Sequence, residues 1–195
     1  MRIDRSNLSM LLCLLLTALI SSCASFQNKP ENNKPQAIAE TVKQAQSQVA
    51  LGDYKKALAH YAAADDKYGH DAALRQQYVR TGDRIRSTAD TAFQQGVFSQ
   101  AGGIYHILLE SGITERNFQE PLSFDTAYLR SRIGSCSKAL MELGLVKYRE
   151  DDLDGAFSIW SRALAFDPGN KAITKALQTT SKQRKMLKSI GPASK

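Results

Sequence analysis

Residues 140–168 read LMELGLVKYREDDLDGAFSIWSRALAFDP and decide the fold class of the chain. Apolar residues recur in this stretch at intervals of three and four, the spacing that places them on one face of an α-helix. An acidic run, residues 150–154, interrupts the pattern, and Pro168 follows its second half. Because proline is common just after a helix ends, the stretch predicts two helices joined by a short turn.

The same order of small and aromatic residues occurs twice more upstream of this stretch. In each copy an aromatic residue follows an alanine by four positions, and no segment after residue 37 shows the strict alternation of a strand. The small residue permits two helices to approach closely, and the aromatic ring fills the space one turn later. Two glycines fit the left-handed position that ends a helix. The signature positions are Gly52, Tyr54, Ala57 and Tyr61, then Gly96, Phe98, Ala101 and Tyr105, then Gly144, Ala156, Trp160, Ala163 and Pro168.

This register resembles the tetratricopeptide repeat (TPR), a helix-turn-helix unit of about 34 residues. The resemblance implies that helix pairs stack side by side into a solenoid. We therefore predict an all-α fold over residues 37–190. It would be a TPR-like solenoid of about three helical hairpins, closed by a C-terminal capping helix.

The three copies lie farther apart than the repeat length of that family, which predicts lengthened first helices. One helix is expected over residues 124–150, with Ser123 as its N-terminal cap. Another is expected over residues 71–95, with Thr81 and Gly82 as the place where it could break. Residues 112–121 form the one substantial predicted loop, for which a functional role and simple padding between repeats are equally open.

The C-terminal stretch, residues 171–190, predicts a last helix that covers the preceding pair and caps the array. Its apolar side chains lie in the first half, while residues 179–185 are polar on all sides, as a terminal repeat requires. Residues 191–195 form a short tail. Seven Lys and Arg residues and no acidic residue occur in residues 171–195. This charge fits a solvated helix end, and it also fits a surface for anionic lipid.

The N-terminus has the order of charge, apolar run and small residues that is typical of an export signal. Arg2 and Arg5 precede an apolar run over residues 8–20, and two serines lead directly to Cys23. The run is shorter than the roughly 20 apolar residues that span a bilayer. This ending resembles the lipobox of bacterial lipoproteins. The alternative is an ordinary signal peptide with an incidental cysteine.

The lipobox resemblance implies cleavage before Cys23, so that residues 1–22 are a signal peptide and acyl chains such as palmitate anchor the mature chain through Cys23. Residues 23–36 are then a lipidated, flexible tether, since residues 24–36 are polar and contain two prolines. Ala24 follows the lipidated cysteine directly. An aspartate at this position would resemble the signal that retains lipoproteins in the inner membrane. We therefore expect the outer membrane, facing the periplasm, with the inner membrane as the alternative.

The sequence gives the net charge of the exported part, residues 23–195, and shows which disulfides it can form. Removing residues 1–22 takes away two arginines and one aspartate, so the formal net charge falls from +7 to +6. Apart from the lipidated cysteine only Cys136 is left, which excludes a disulfide within the chain. We predict that Cys136 is a small buried hydrophobe, with an intermolecular bridge as the other interpretation.

The sequence shows no constellation of residues that would bind a metal or catalyse a reaction. His60, His70 and His106 are scattered, and no glycine-rich phosphate loop precedes a helix. The acidic run at 150–154 lacks the alternating ligand spacing of a calcium loop and suits helix capping. We predict a chain that is not an enzyme and binds no cofactor and no metal.

The TPR resemblance also implies a concave groove for a peptide segment, lined by the first helix of each pair. The carboxylate clamp of that family is not reproduced here. Hydrophobic anchors on a helix or an extended segment are therefore expected instead of a terminal carboxylate. The predicted groove residues are Arg86, Asp90, Phe93, Lys138, Met141, Leu145, Tyr148 and Arg149.

Together these features predict a lipid-anchored, non-enzymatic scaffold that binds and positions another envelope protein. Similar lipoproteins serve outer-membrane protein insertion or secretin and pilus assembly, and a periplasmic protease adaptor is a further alternative. The rival prediction is a direct envelope-binding module whose basic last helix contacts anionic lipid or cell wall. No nucleic acid partner is expected for an exported protein, and a homo-oligomer stays an open alternative.

Overall fold

The computed structural model describes residues 33–190, and seven α-helices account for most of them. No β-strand occurs among these residues, which confirms the predicted all-α helical-hairpin fold. A short 3₁₀-helix, Ile113–Glu115, lies in the longest connection. The α-helices are α1 (Lys34–Ala50), α2 (Tyr54–Lys67), α3 (Ala72–Gln94), α4 (Phe98–Glu110), α5 (Thr126–Arg149), α6 (Leu153–Leu164) and α7 (Lys171–Ile190).

The chain divides into two units, Met1–Ala37 and Ile38–Lys195, and the buried core belongs to the second. Helix α1 begins at Lys34, before the predicted boundary at residue 37. Pro35 lies in its first turn, where a missing N–H costs no helical hydrogen bond. The predicted signal peptide, the lipidation site Cys23, most of the tether and the C-terminal tail lie outside the described residues.

Each helix from α2 to α6 packs against the next one along the chain, so the second unit is a linear array of hairpins. The long helices α3 and α5 are the lengthened first helices that the spacing predicts. Helix α3 runs through Thr81 and Gly82 without a break. A Cβ at Gly82 would lie 2.7 Å from Ile113 Cδ1, so this glycine serves close packing of the loop on α3.

The backbone conformation of the turns within the helix pairs explains why glycine occurs in the first two turns and the acidic run in the third. Gly52 and Gly96 have φ angles of +77° and +76°, which confirms their left-handed conformation. In the third pair Asp151 takes this conformation, with φ 59°, which aspartate tolerates better than most residues. Asp53 and Asp152 then cap α2 and α6 by accepting hydrogen bonds from backbone N–H groups of the first turn.

The start of α5 differs from the prediction. Asp125 caps this helix, because its carboxylate accepts a hydrogen bond of 2.7 Å from the Tyr128 N–H, and Thr126 is the first helical residue. The predicted cap, Ser123, is wrong. Its N–H and Oγ instead donate to Asp83 Oδ1 at 3.0 and 2.6 Å. A tertiary hydrogen bond to α3 therefore decides between two residues that cap helices equally well.

The alanine and aromatic signature residues lie in the interfaces between helices, as the register predicts. A Cβ at Gly144 would lie 2.1 Å from Trp160 Nε1, so only glycine lets the indole lie directly on the backbone of α5. Each signature alanine is fully buried and each aromatic residue one turn later is at most 1% exposed: Ala57 with Tyr61, Ala101 with Tyr105, and Ala156 with Trp160.

The remaining signature residues border these interfaces. Tyr54 and Phe98 begin α2 and α4 and lie half-buried against the core. Ala163 is fully buried, and Pro168 is exposed between α6 and α7. Cys136 is a free and fully buried thiol, as predicted. Burial raises the pKa of this thiol to about 11, so it stays protonated and unreactive.

The long connection between α4 and α5 folds back onto α2 and α3. Its Ile113 is fully buried, and its Phe118 packs edge-on against a buried tyrosine of α3 with ring centroids 5.4 Å apart. Arg116 of this loop lies 2.8 Å from the Asp65 carboxylate of α2, and Arg75 of α3 lies 2.7 Å from it. The loop is therefore part of the packed structure of the first two helix pairs.

Asp65 is the centre of this contact, and its side chain is fully buried. Burial acts to raise the pKa of Asp65. Hydrogen bonds from Arg75, His70 and Arg116 outweigh burial and hold the pKa below its ordinary value of 3.8. The folded chain thus stabilises the charged carboxylate.

Replacing Gly144 with alanine tests the close contact between α5 and α6. The added Cβ has no room beside Trp160, so we expect Gly144→Ala to lower the free energy of unfolding by about 1–3 kcal/mol. Gly134→Ala is the matched control, because Gly134 is exposed on the same helix with nothing within 4 Å of an added Cβ. It should raise stability by about 0.5–1 kcal/mol. Urea unfolding followed by circular dichroism measures both, and a Gly144→Ala variant as stable as wild type contradicts this packing.

Folding stability should fall in acid through Asp65. Its pKa is lower in the folded than in the unfolded chain, so its contribution is complete above about pH 5 and is lost as the pH falls through the folded-state pKa. Asp65→Asn should lower the free energy of unfolding at pH 7 by about 3–5 kcal/mol, because it leaves two arginines without their buried countercharge. The variant should also lose stability less steeply than wild type in acid.

Asp66→Asn is the control for this experiment. Asp66 lies 2.9 Å from the same Arg116, but its side chain is 65% exposed. Because exposed ion pairs contribute little, this variant should unfold nearly like wild type. Urea unfolding between about pH 3 and pH 7 measures both variants. Equal stability of the two variants at neutral pH would show that Asp65 contributes no more to folding than the exposed Asp66.

Candidate functional site

An open, mainly apolar groove of about 370 Å³ lies between α5, α6 and α7. Met141, Leu145 and Tyr148 form one wall, because intervals of four and three residues place them on the same face of α5. Trp160 of α6 forms the floor. The opposite wall is formed by the α7 residues Ala172, Lys175, Ala176, Thr179 and Thr180.

The polar atoms at the bottom of the groove are hydrogen-bonded within the protein. Trp160 Nε1 donates to the Met141 carbonyl at 3.2 Å, and Thr180 Oγ1 donates to the Ala176 carbonyl at 3.0 Å. The Tyr148 ring lies beside the indole, with centroids 6.1 Å apart and planes at 38°. A ligand that buries carbon atoms here leaves neither of these donors unpaired.

Lys175 is the one charged side chain among the described residues that line the groove, and it is exposed. Its ammonium group can approach a negative charge on a bound ligand while the rest of the ligand contacts apolar side chains. Charge complementarity of this kind chiefly gives specificity and orientation. The groove therefore suits a ligand with apolar anchors next to a carboxylate.

The structure brings together three of the eight predicted groove residues. Met141, Leu145 and Tyr148 line the groove. Lys138 and Arg149 lie on the same helix, but both are exposed and do not line it. Helical spacing along α5 places these three residues on one wall of the groove, and α7, rather than α3, forms the opposite wall.

Arg86, Asp90 and Phe93 belong to a different cluster, between α3, α4 and α5. Asp90 Oδ1 accepts hydrogen bonds from the hydroxyls of Tyr105 at 2.5 Å and Tyr128 at 2.6 Å. Asp90 Oδ2 accepts one from Arg86 Nη1 at 2.5 Å. The carboxylate is thus engaged within the protein and joins three helices.

Arg132 of α5 completes this cluster, and no pattern in the sequence singles this residue out. Its guanidinium lies 4.1 Å from the centroid of the Phe93 ring, and its Nη2 lies 3.4 Å from Asp90 Oδ1. Burial acts to raise the pKa of Asp90, but the hydroxyls of Tyr105 and Tyr128 and the two arginines outweigh it and lower the pKa. The sequence shows Tyr128 and Arg132 one helical turn apart, yet it does not show that α3 lies opposite them.

Helix α7 covers the preceding pair with more than its apolar first half, because side chains of the polar stretch 179–185 are also held against the protein. Ile173 is fully buried, as expected of the first half, but so is Thr180. Arg184 pairs with Asp154 of α6 and lies 4.5 Å from the centroid of the Phe157 ring. The four-residue spacing of the α7 groove residues in the sequence is the pattern from which this wall of the groove could be predicted.

Among residues 33–190, no group of three or more His, Cys, Asp or Glu side chains is placed to hold a metal ion. In the same part of the chain, no helix combines the length and the apolar character needed to cross a membrane.

Comparison with known proteins gives no family for this chain. No protein-family model matches it, and no curated protein sequence is detectably similar to it.

Proposed function

We propose that this chain is a lipid-anchored, non-enzymatic scaffold of the bacterial envelope that binds a partner protein between α5, α6 and α7. The observation that carries the proposal is the groove. Apolar side chains from three helices line an open groove whose buried donors are already hydrogen-bonded within the protein. Such grooves accept the apolar face of a helix or the anchor side chains of an extended segment.

The partner segment is expected to place apolar side chains against Tyr148 and Leu145, next to an acidic residue that meets Lys175. Aromatic side chains at the centre of an interface commonly carry most of the binding energy. Tyr148 is half-buried beside Trp160, so it offers a positioned ring whose conformational freedom is already reduced.

The sequence before the described residues supports the anchored location. Cys23 follows an apolar run and two serines, in the manner of a lipobox, and Ala24 favours the outer membrane. Two or more acyl chains would make the attachment stable. The polar residues that follow Cys23 would let the groove reach partners in the periplasm while the chain stays at the membrane.

Capture of envelope proteins tests this function. The buried core residues all lie in the second unit, so a tagged chain of residues 23–195 keeps the whole described core. Leu145→Ser and Tyr148→Ala each remove apolar surface from the groove wall, and each should weaken capture of the partner by about tenfold or more. Leu51→Ser is the matched control, because Leu51 is 75% exposed in the turn between α1 and α2.

We expect wild type and Leu51→Ser to capture the same envelope protein from detergent extracts, in equal amounts. Circular dichroism checks that every variant keeps its helical content. Capture that is unchanged in both groove variants contradicts the proposal, as does the failure of wild type to capture any protein.

A further inference from the structure

The last turns of α7 carry exposed apolar side chains between basic ones. Met186 and Leu187 are 63% and 61% exposed. Lys182, Lys185 and Lys188 lie around them and are exposed as well. Apolar side chains interspersed with lysines on one helix are typical of segments that lie at a membrane surface.

Arg184 determines which side of this helix end faces the protein. Its side chain pairs with Asp154 and covers the Phe157 ring, so this side of the helix is held against α6. With 3.6 residues per turn, Lys182, Lys185 and Met186 lie roughly 100–160° around the helix from Arg184. All three side chains are exposed to solvent. Lys182 and Lys185 border a shallow hollow beside Phe157 of α6, and Met186 does not line that hollow.

The acidic residues nearby lie on another side of the helix end. Asp151, Asp152 and Asp154, from the turn between α5 and α6, line a hollow together with Leu187 and Lys188. Residues 171–195 contain no acidic residue of their own. The solvent-facing side is consequently positive, and its charge is complementary to an anionic surface.

We infer that the α7 tip, defined by Lys182, Lys185 and Met186, docks onto an anionic lipid bilayer. The lysine ammonium groups would meet lipid phosphates while their methylene stems and the Met186 side chain bury among the headgroups. This contact adds a second attachment to the proposed lipid anchor and does not involve the groove. It would fix the orientation of the array above the membrane.

Vesicle binding by the unlipidated chain tests the inference. The chain of residues 23–195 with Cys23→Ser is sedimented with vesicles of phosphatidylcholine containing about 30% phosphatidylglycerol, and with phosphatidylcholine vesicles alone. Binding should require the anionic lipid and weaken as salt shortens the screening length. Each lysine at the surface contributes about fivefold in affinity, so Lys182→Gln with Lys185→Gln should weaken binding about 25-fold.

Lys43→Gln with Lys55→Gln is the matched control for charge. These two lysines are exposed on α1 and α2, so the control removes the same charge elsewhere in the array. It should bind anionic vesicles as wild type does. If the control pair weakens binding as much as the tip pair, the attraction is spread over the protein and the inference is overturned.

Met186→Trp reports whether the tip enters the lipid. Trp160, the single tryptophan of the natural chain, is 1% exposed and should not respond to vesicles. The emission of the introduced tryptophan should shift to the blue with anionic vesicles, and an unshifted emission contradicts insertion. A dimer that forms without vesicles and is lost in Met186→Ser would show that the tip binds a second copy of this chain. That result would overturn the inference.

The groove variants separate this inference from the proposed function. Leu145→Ser should bind vesicles as wild type does, while the tip variants should capture the partner protein normally. Vesicle binding that is lost in Leu145→Ser would show that the tip is not the membrane contact.

Discussion

The third helix pair depends on the contact between the Trp160 indole and the backbone of α5 at Gly144. A side chain at Gly144 would overlap the indole, so α5 and α6 reach their packing distance only with glycine at this position. The same contact places the indole beside Tyr148 and lets its Nε1 bond the Met141 carbonyl. This packing constraint therefore determines both the distance between α5 and α6 and the position of the indole that forms the floor of the groove.

Two engaged carboxylates hold the rest of the array in place. Asp65 joins α2 and α3 to the loop after α4, through Arg75 and Arg116. Asp90 joins α3 to α4 and α5, through tyrosine hydroxyls and Arg132. Ion-paired carboxylates of this kind favour one arrangement of helices, because separating the helices leaves a charge without its partner. Of the helices that form the groove, α5 is joined in this way to α3 and α4. Other polar contacts join α6 to α5, from Trp160 Nε1 to the Met141 carbonyl, and α7 to α6, between Arg184 and Asp154.

The parts of the fold that depend on local helix geometry could be predicted from the sequence. The recurrence of alanine and aromatic residues identified the interfaces, since helical periodicity alone sets their spacing. Gly52 and Gly96 were predicted as left-handed because glycine adopts that conformation without steric cost. Asp151, which takes the same conformation in the third pair, was not predicted, since aspartate is found in many other conformations.

The parts that depend on which elements lie opposite each other could not be predicted. Ser123 has the chemistry of a cap, but its bond to Asp83 comes from a helix about 40 residues away in sequence. Arg132 and the α7 wall of the groove likewise depend on tertiary neighbours. For the same reason the predicted groove joined Phe93 to Tyr148, whereas the structure places them in separate clusters.

In the proposed function, the groove receives a partner protein while lipid on Cys23 holds the chain in the envelope. Photo-cross-linking in living cells tests it most directly, with a photoreactive amino acid in place of Leu145 and, as comparison, in place of the exposed Ala63 of α2. We expect one principal protein adduct from position 145, formed by a chain that incorporates labelled palmitate in wild type and not in Cys23→Ser. The absence of an adduct from position 145, or the same adducts from both positions, would contradict it.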